Sequence, residues 1–66
     1  MKATVKWKDG TKIRQKTMQV EKNEPNAIIR AFHNARVFGR ETFVTTVKCG
    51  RYEYQWYGVA KDAGIY

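Results

Sequence analysis

Three patterns predict an α+β fold of the order ββαββ, an antiparallel four-stranded sheet with one helix packed on one face. Two alternating segments, each broken by a glycine turn, read as β-hairpins. Between them, apolar residues recur at helical spacing and are bracketed by a start and a stop signal. A helix with a single apolar stripe must cover one face of a sheet. Strand order and any completion of the sheet by a second copy are left open.

The first hairpin runs from Ala3 to Lys16, with Asp9-Gly10 as its turn signal. A two-residue Asp9-Gly10 loop pairs Val5 with Arg14 and sets apolar residues against basic ones. An odd-residue loop with Gly10 as the left-handed bulge residue pairs Val5 with Ile13, Lys6 with Lys12 and Thr4 with Arg14. This second register is the one expected, because a one-residue slip moves every side chain to the other face. It gives an inner face of Ala3, Val5, Trp7 and Ile13. The outer face then carries Lys6, Lys12, Arg14 and Lys16, with Lys8 at the loop. Like charges placed opposite one another destabilise a hairpin, so this cluster points to an acidic ligand.

After Lys16 the alternation changes phase, and Met18 and Val20 fall on the parity that was basic before. A β-bulge near Gln15 to Thr17 would turn them inward, or the strand ends there and they tuck under a loop. Glu24 precedes Pro25 and is pushed out of the helical region, which makes Pro25 the first helical residue. Ile28, Ala31, Phe32, Ala35 and Phe38 then form the apolar stripe, flanked by Ile29, and Gly39 sits where the helix stops. The second hairpin joins Glu41–Lys48 to Arg51–Val59 through Cys49-Gly50. Val47 would face Tyr52, Thr45 would face Tyr54 and Phe43 would face Trp56, all on the inner side. Val44, Thr46, Lys48, Arg51, Glu53, Gln55 and Tyr57 would take the outer side. Residues 60–66 read as a loose tail.

Sixty-six residues make a single domain, 1–66, close to the lower limit for folding without staples. Three Phe, two Trp and four Tyr compensate in part, since each ring buries a large area. A homodimer that hides more apolar surface is compatible with so small a core. The net charge of +7 and a pI near 9.9 point to acidic partners. The lone Cys49 excludes an internal disulfide and a multi-cysteine zinc site, and it fits a reducing, cytoplasmic setting. No apolar run has the length of a signal peptide or a membrane span, so no membrane partner is expected.

Catalysis finds no support. His33 and Cys49 are the only residues of their kinds, and nothing places them together as a nucleophile and base require. The carboxylates are scattered and the glycines have turn or cap explanations, so no enzyme activity, metal or cofactor is expected. The row Tyr52, Tyr54 and Trp56 reads as core under the helix rather than as a platform for stacked bases. Tyr57 falls on the opposite, wet side beside Lys48 and Arg51, where a ring can stack or anchor a contact.

The candidate binding residues are therefore Lys6, Lys8, Lys12, Arg14 and Lys16 of the first hairpin, joined by Lys48, Arg51 and Tyr57. The leading expectation is a small basic non-enzymatic protein that binds nucleic acid through a cationic sheet face, by phosphate neutralisation and with weak sequence preference. The alternative is an inhibitor or adaptor that docks onto an acidic surface of a larger protein, such as a nucleic-acid-processing enzyme. An assembly subunit that pairs through a free sheet edge is a third reading.

Overall fold

The computed structural model describes residues 1–65. Four strands and a helix follow in the expected order: β1 (Lys2–Asp9), β2 (Lys12–Gln19), α1 (Pro25–Asn34), β3 (Phe43–Cys49) and β4 (Tyr52–Val59). They build one antiparallel sheet in the order β2-β1-β3-β4, with α1 packed on one face. The sheet is thus two hairpins joined along a seam between β1 and β3.

Both hairpins turn on a two-residue loop whose first residue is glycine. Asp9 pairs with Lys12 around Gly10-Thr11, and Cys49 pairs with Tyr52 around Gly50-Arg51. Gly10 and Gly50 have φ of 66° and 60°, while Thr11 and Arg51 stay out of the positive region, the pattern of a type II′ turn. The expected loops put Gly10 last, as a bulge residue, and Gly50 second, and so misplaced both registers. In the second hairpin the error is a slip of two residues, since Val47 pairs with Tyr54 and not Tyr52. Faces survive an even slip.

In the first hairpin the slip is odd, and it overturns the expected charged face. Val5 pairs with Lys16, Trp7 with Arg14 and Lys8 with Ile13. Val5 and Ile13 therefore lie on opposite faces, and Ile13 is left 56 % exposed. Lys12, Arg14 and Lys16 share the helix side with Val5 and Trp7, while Lys6 and Lys8 lie on the other. The physical reason is at the far end of β2. Met18 pairs with Ala3, and Val20 is buried and bonded through its backbone to Met1. Keeping those two inward without a bulge fixes the parity of the whole strand. Ile13, near the turn and beyond the reach of the helix, is given up. The expected bulge between Gln15 and Thr17 is absent, because the pairing runs unbroken from Lys2–Gln19 to Asp9–Lys12.

The bulge lies instead in β3. Thr46 pairs with Lys6 and Val44 with Trp7, which leaves Thr45 as the extra residue. Its hydroxyl donates to the Lys6 carbonyl at 3.2 Å. On the other side Thr45 stands against both Trp56 and Tyr57, between the pairs Thr46–Gln55 and Val44–Gly58. The extra residue exchanges the roles of Phe43 and Val44. Val44 is fully buried under the helix, and Phe43 turns to the outer face, where Lys8 Nζ stands 5.4 Å from its ring centroid. The expectation of Phe43 in the core is corrected accordingly.

The helix begins as its sequence requires. Glu24 is extended (φ −140°, ψ 122°), and its carboxylate accepts from the backbone N–H groups of Asn26 and Ala27, with Pro25 following. It ends earlier than Gly39, however, through a left-handed residue at Arg36 (φ 61°). Arg36 N–H donates to the His33 carbonyl and Val37 N–H to that of Phe32, which is the Schellman pattern. Phe38 still reaches the core from the following loop. Its ring centroid is 6.3 Å from Phe32 and 5.4 Å from Trp7.

Ala3, Val5, Ile28, Phe32, Val44 and Val47 form the centre of the core. Cys49 is buried there too, at the end of β3, rather than lying in a turn. Tyr54 and Trp56 are half-buried at its margin on the inner face. The tyrosine hydroxyl donates to Asn23 Oδ1 and the indole N–H to Asn26 Oδ1, each at 3.1 Å. Residues 60–65 are docked and not loose. A 3-10 helix, Ala60–Ala63, buries Ala60 and Ala63, Ile65 packs beside them, and Arg30 donates to the Ala63 carbonyl at 2.6 Å. Tyr66, the last residue of the expected tail, lies outside the described residues. This segment covers a second side of α1, so Ile28 and Ile29, about 100° apart on the helix, are both fully buried.

Candidate functional site

The helix covers one face of the sheet, and none of the described residues crosses the other. On the open face β1 presents Lys2, Lys6 and Lys8, with Lys6 and Lys8 about 7 Å apart along the strand and Lys2 about 13 Å from Lys6, beyond Thr4. Lys48 joins them from β3 across the seam, on the row of Thr4. Neutral donors fill the gaps: Gln15 stands beside Lys6, Thr46 and Gln55 continue its row, and the Thr4 and Thr17 hydroxyls share a hydrogen bond. Glu53, opposite Lys48, is the one carboxylate on this face among the described residues. At the turn end the face becomes apolar, with Ile13 beside Lys8 and Phe43 opposite Val59.

A second cationic region lies on the helix side of the edge strand β2. Arg14 and Lys16, together with Arg36 from the end of α1, line a groove whose other walls include Trp7, Ala35 and Val37. Asp9 accepts a hydrogen bond from Arg14 Nε at the rim. Both partners are more than half exposed, so this pair adds little to stability.

The structure thus divides the expected site. Lys6, Lys8 and Lys48 lie on the open face, while Lys12, Arg14 and Lys16 lie on the helix side of β2. Arg51 sits in the β3–β4 turn at the Lys2 end of the sheet. Tyr57 is 62 % exposed, as expected for its wet position, and occupies the β4 bulge with φ 45°. A bulky residue at positive φ is uncommon and stores strain.

Sequence reasoning missed two contributors. Lys2 belongs to the open face by simple alternation, and β1's parity could have included it. Arg36 gave no signal, since a left-handed helix terminus ordinarily announces itself by glycine. That makes a direct check possible. The left-handed conformation costs a non-glycine residue about 1–2 kcal/mol, against the 0.5–1 kcal/mol or so of extra chain entropy that glycine loses. Arg36→Gly is expected to raise the urea midpoint, by about 0.5–1 kcal/mol in stability. A lowered midpoint means that the guanidinium makes contacts that outweigh the strain.

Among the described residues no group of three or more His, Cys, Asp or Glu side chains could hold a metal ion, and no helix is long and apolar enough to cross a membrane. No protein-family model matches this chain, and no curated protein and no solved structure is significantly similar to it.

Proposed function

We propose that this chain is a small non-enzymatic binding protein that takes the phosphate backbone of nucleic acid on the open face of its sheet. One observation carries the reading: among the described residues, an uncovered four-stranded face sets Lys2, Lys6, Lys8 and Lys48 against the single carboxylate of Glu53, with Gln and Thr side chains between. Lysines neutralise phosphates and release counterions, which supplies affinity without regard to sequence. The amides and hydroxyls between them can add hydrogen bonds to phosphate and sugar. None of these groups needs a metal, a cofactor or a catalytic pair. The cytoplasm, where nucleic acid is at hand and the one thiol stays reduced, suits such a role.

The test is equilibrium binding of fluorescent duplexes of unrelated sequence over a salt series. Four phosphate contacts give a log–log slope near −3.6, at about −0.9 per contact. The slope and the affinity are expected to change little between sequences. A shallow slope with weak affinity, together with one tight protein partner retained from lysate after nuclease treatment, would replace this reading with that of an inhibitor or adaptor on an acidic protein surface. A mass that rises with concentration would replace it with that of an assembly subunit.

A further inference from the structure

We infer that the groove between β2 and the end of α1 is a subsite for one nucleotide of a single strand, with its phosphate on Arg14, Lys16 and Arg36 and its base against Trp7. The inference rests on nucleic acid being the ligand of the open face, and it adds a contact on the other side of the β2 edge.

Three cations from two distant parts of the chain meet there. Arg14 and Lys16 are alternate residues on the same side of β2, and Arg36 faces them from the helix terminus. Asp9 engages Arg14 through Nε alone in the described contacts, so it steadies the guanidinium and leaves its outer nitrogens to a ligand. A phosphate is the small anion that such a fork and a neighbouring ammonium fit. Arg36 is held in a conformation that glycine would adopt without cost, and no fold requirement explains an arginine there.

Trp7 supplies what a phosphate site alone does not need. Its ring is braced by Phe38, tilted by 57°, and is only partly buried, with its remaining surface on the groove between the cations. A π-face beside a cationic track is how proteins hold single-stranded nucleic acid, because every base can stack. A duplex keeps its bases stacked internally and can offer the groove only phosphates. β2 is an edge strand, with Lys6 and Lys8 beyond it on one face and Arg14 and Lys16 on the other. A flexible strand can pass around that edge from one set of cations to the other.

The experiment compares an oligothymidylate with a duplex of equal length, using the parent, Trp7→Phe and the triple variant Arg14→Gln/Lys16→Gln/Arg36→Gly. The oligothymidylate is expected to quench tryptophan emission in the parent, and the quench is expected to vanish in Trp7→Phe, which keeps an aromatic ring for packing and retains Trp56. The duplex is expected to give no quench. The triple variant is expected to lose about tenfold or more in single-strand affinity and about two units of its salt slope, at ~0.7 per contact. Its duplex affinity stays close to that of the parent. Unchanged single-strand binding by the triple variant, or a quench that persists in Trp7→Phe, overturns the subsite while duplex binding by the open face stands. A parent that binds neither nucleic acid overturns both readings. A polyglutamate peptide that quenches Trp7 as the oligonucleotide does shows that the groove reads charge alone, and the nucleotide subsite is then wrong.

Discussion

Replacing Phe32 with alanine is expected to leave the chain largely unfolded at room temperature. Phe32 is 0 % exposed, stands in the last turn of α1, and its ring lies 17° from parallel with that of Phe38. Removing a buried phenyl ring costs about 3–5 kcal/mol, the lost transfer energy plus the cavity. A chain of this length has roughly 3–10 kcal/mol to lose, at ~0.05–0.15 per residue. Phe38 cannot simply fill the space, because it is already engaged by Trp7 on its other side. Near-ultraviolet circular dichroism and a urea titration check this. A variant that keeps a cooperative transition within 1 kcal/mol or so of the parent would show that the loop carrying Phe38 collapses into the cavity.

The second large effect concerns binding and leaves the fold alone. Changing Lys2, Lys6, Lys8 and Lys48 together to glutamine is expected to abolish most duplex affinity and to flatten the salt slope by nearly four units, at ~0.9 per lost contact. All four side chains are exposed, and none makes an ion pair among the described residues. Their removal relieves mutual repulsion, so the urea midpoint is expected to hold or to rise by a few tenths of a kcal/mol per neighbouring pair. Lys8, over the ring of Phe43, and Lys48, opposite Glu53, have local partners, and exposed contacts of these kinds are worth ~0.2–1 kcal/mol. A quadruple variant that binds duplex as the parent does removes the open face from consideration and leaves the helix-side groove as the remaining cationic surface.

The element types and their order were legible because periodicity reports them directly. Pro25 after Glu24 marks the helix start, and the alternation on either side of Gly10 and Gly50 marks four strands. The registers were not legible, and the cause differs between the two hairpins. Asp9-Gly10 reads as an odd-residue loop with Gly10 as its bulge residue and Cys49-Gly50 as a turn with glycine second, whereas glycine stands first in both two-residue loops. Alternation cannot detect a two-residue error, because sliding a strand by two residues preserves its pattern. In the second hairpin that slip by itself moved no side chain to the other face, and only the bulge exchanged Phe43 and Val44. In the first, Ile13 and the pair Met18 and Val20 demand opposite parities, and only the position of the helix decides between them. The candidate site split as a result, with Lys6 and Lys8 on one side of the sheet and Arg14 and Lys16 on the other. The Thr45 bulge was beyond reach for a similar reason. Nothing in Phe43-Val44-Thr45 tells which apolar residue is inward until β1 and β4 fix it from both edges.

The seam between β1 and β3 also has a kinetic meaning. Each hairpin closes around two residues and can zip locally, in microseconds. Joining them pairs Ala3 with Cys49 and Trp7 with Val44, so the chain must first loop over the intervening hairpin strand and helix. Loop closure of that span is the entropic toll of the topology, and non-local pairing of this kind sets the folding rate. The Thr45 hydroxyl bonds across that join to the Lys6 carbonyl. Lys6 and Lys48 stand on the two sides of the same join. On the proposed function, a polyanion laid across both would staple the halves together, slow their separation and report its own binding as resistance to unfolding.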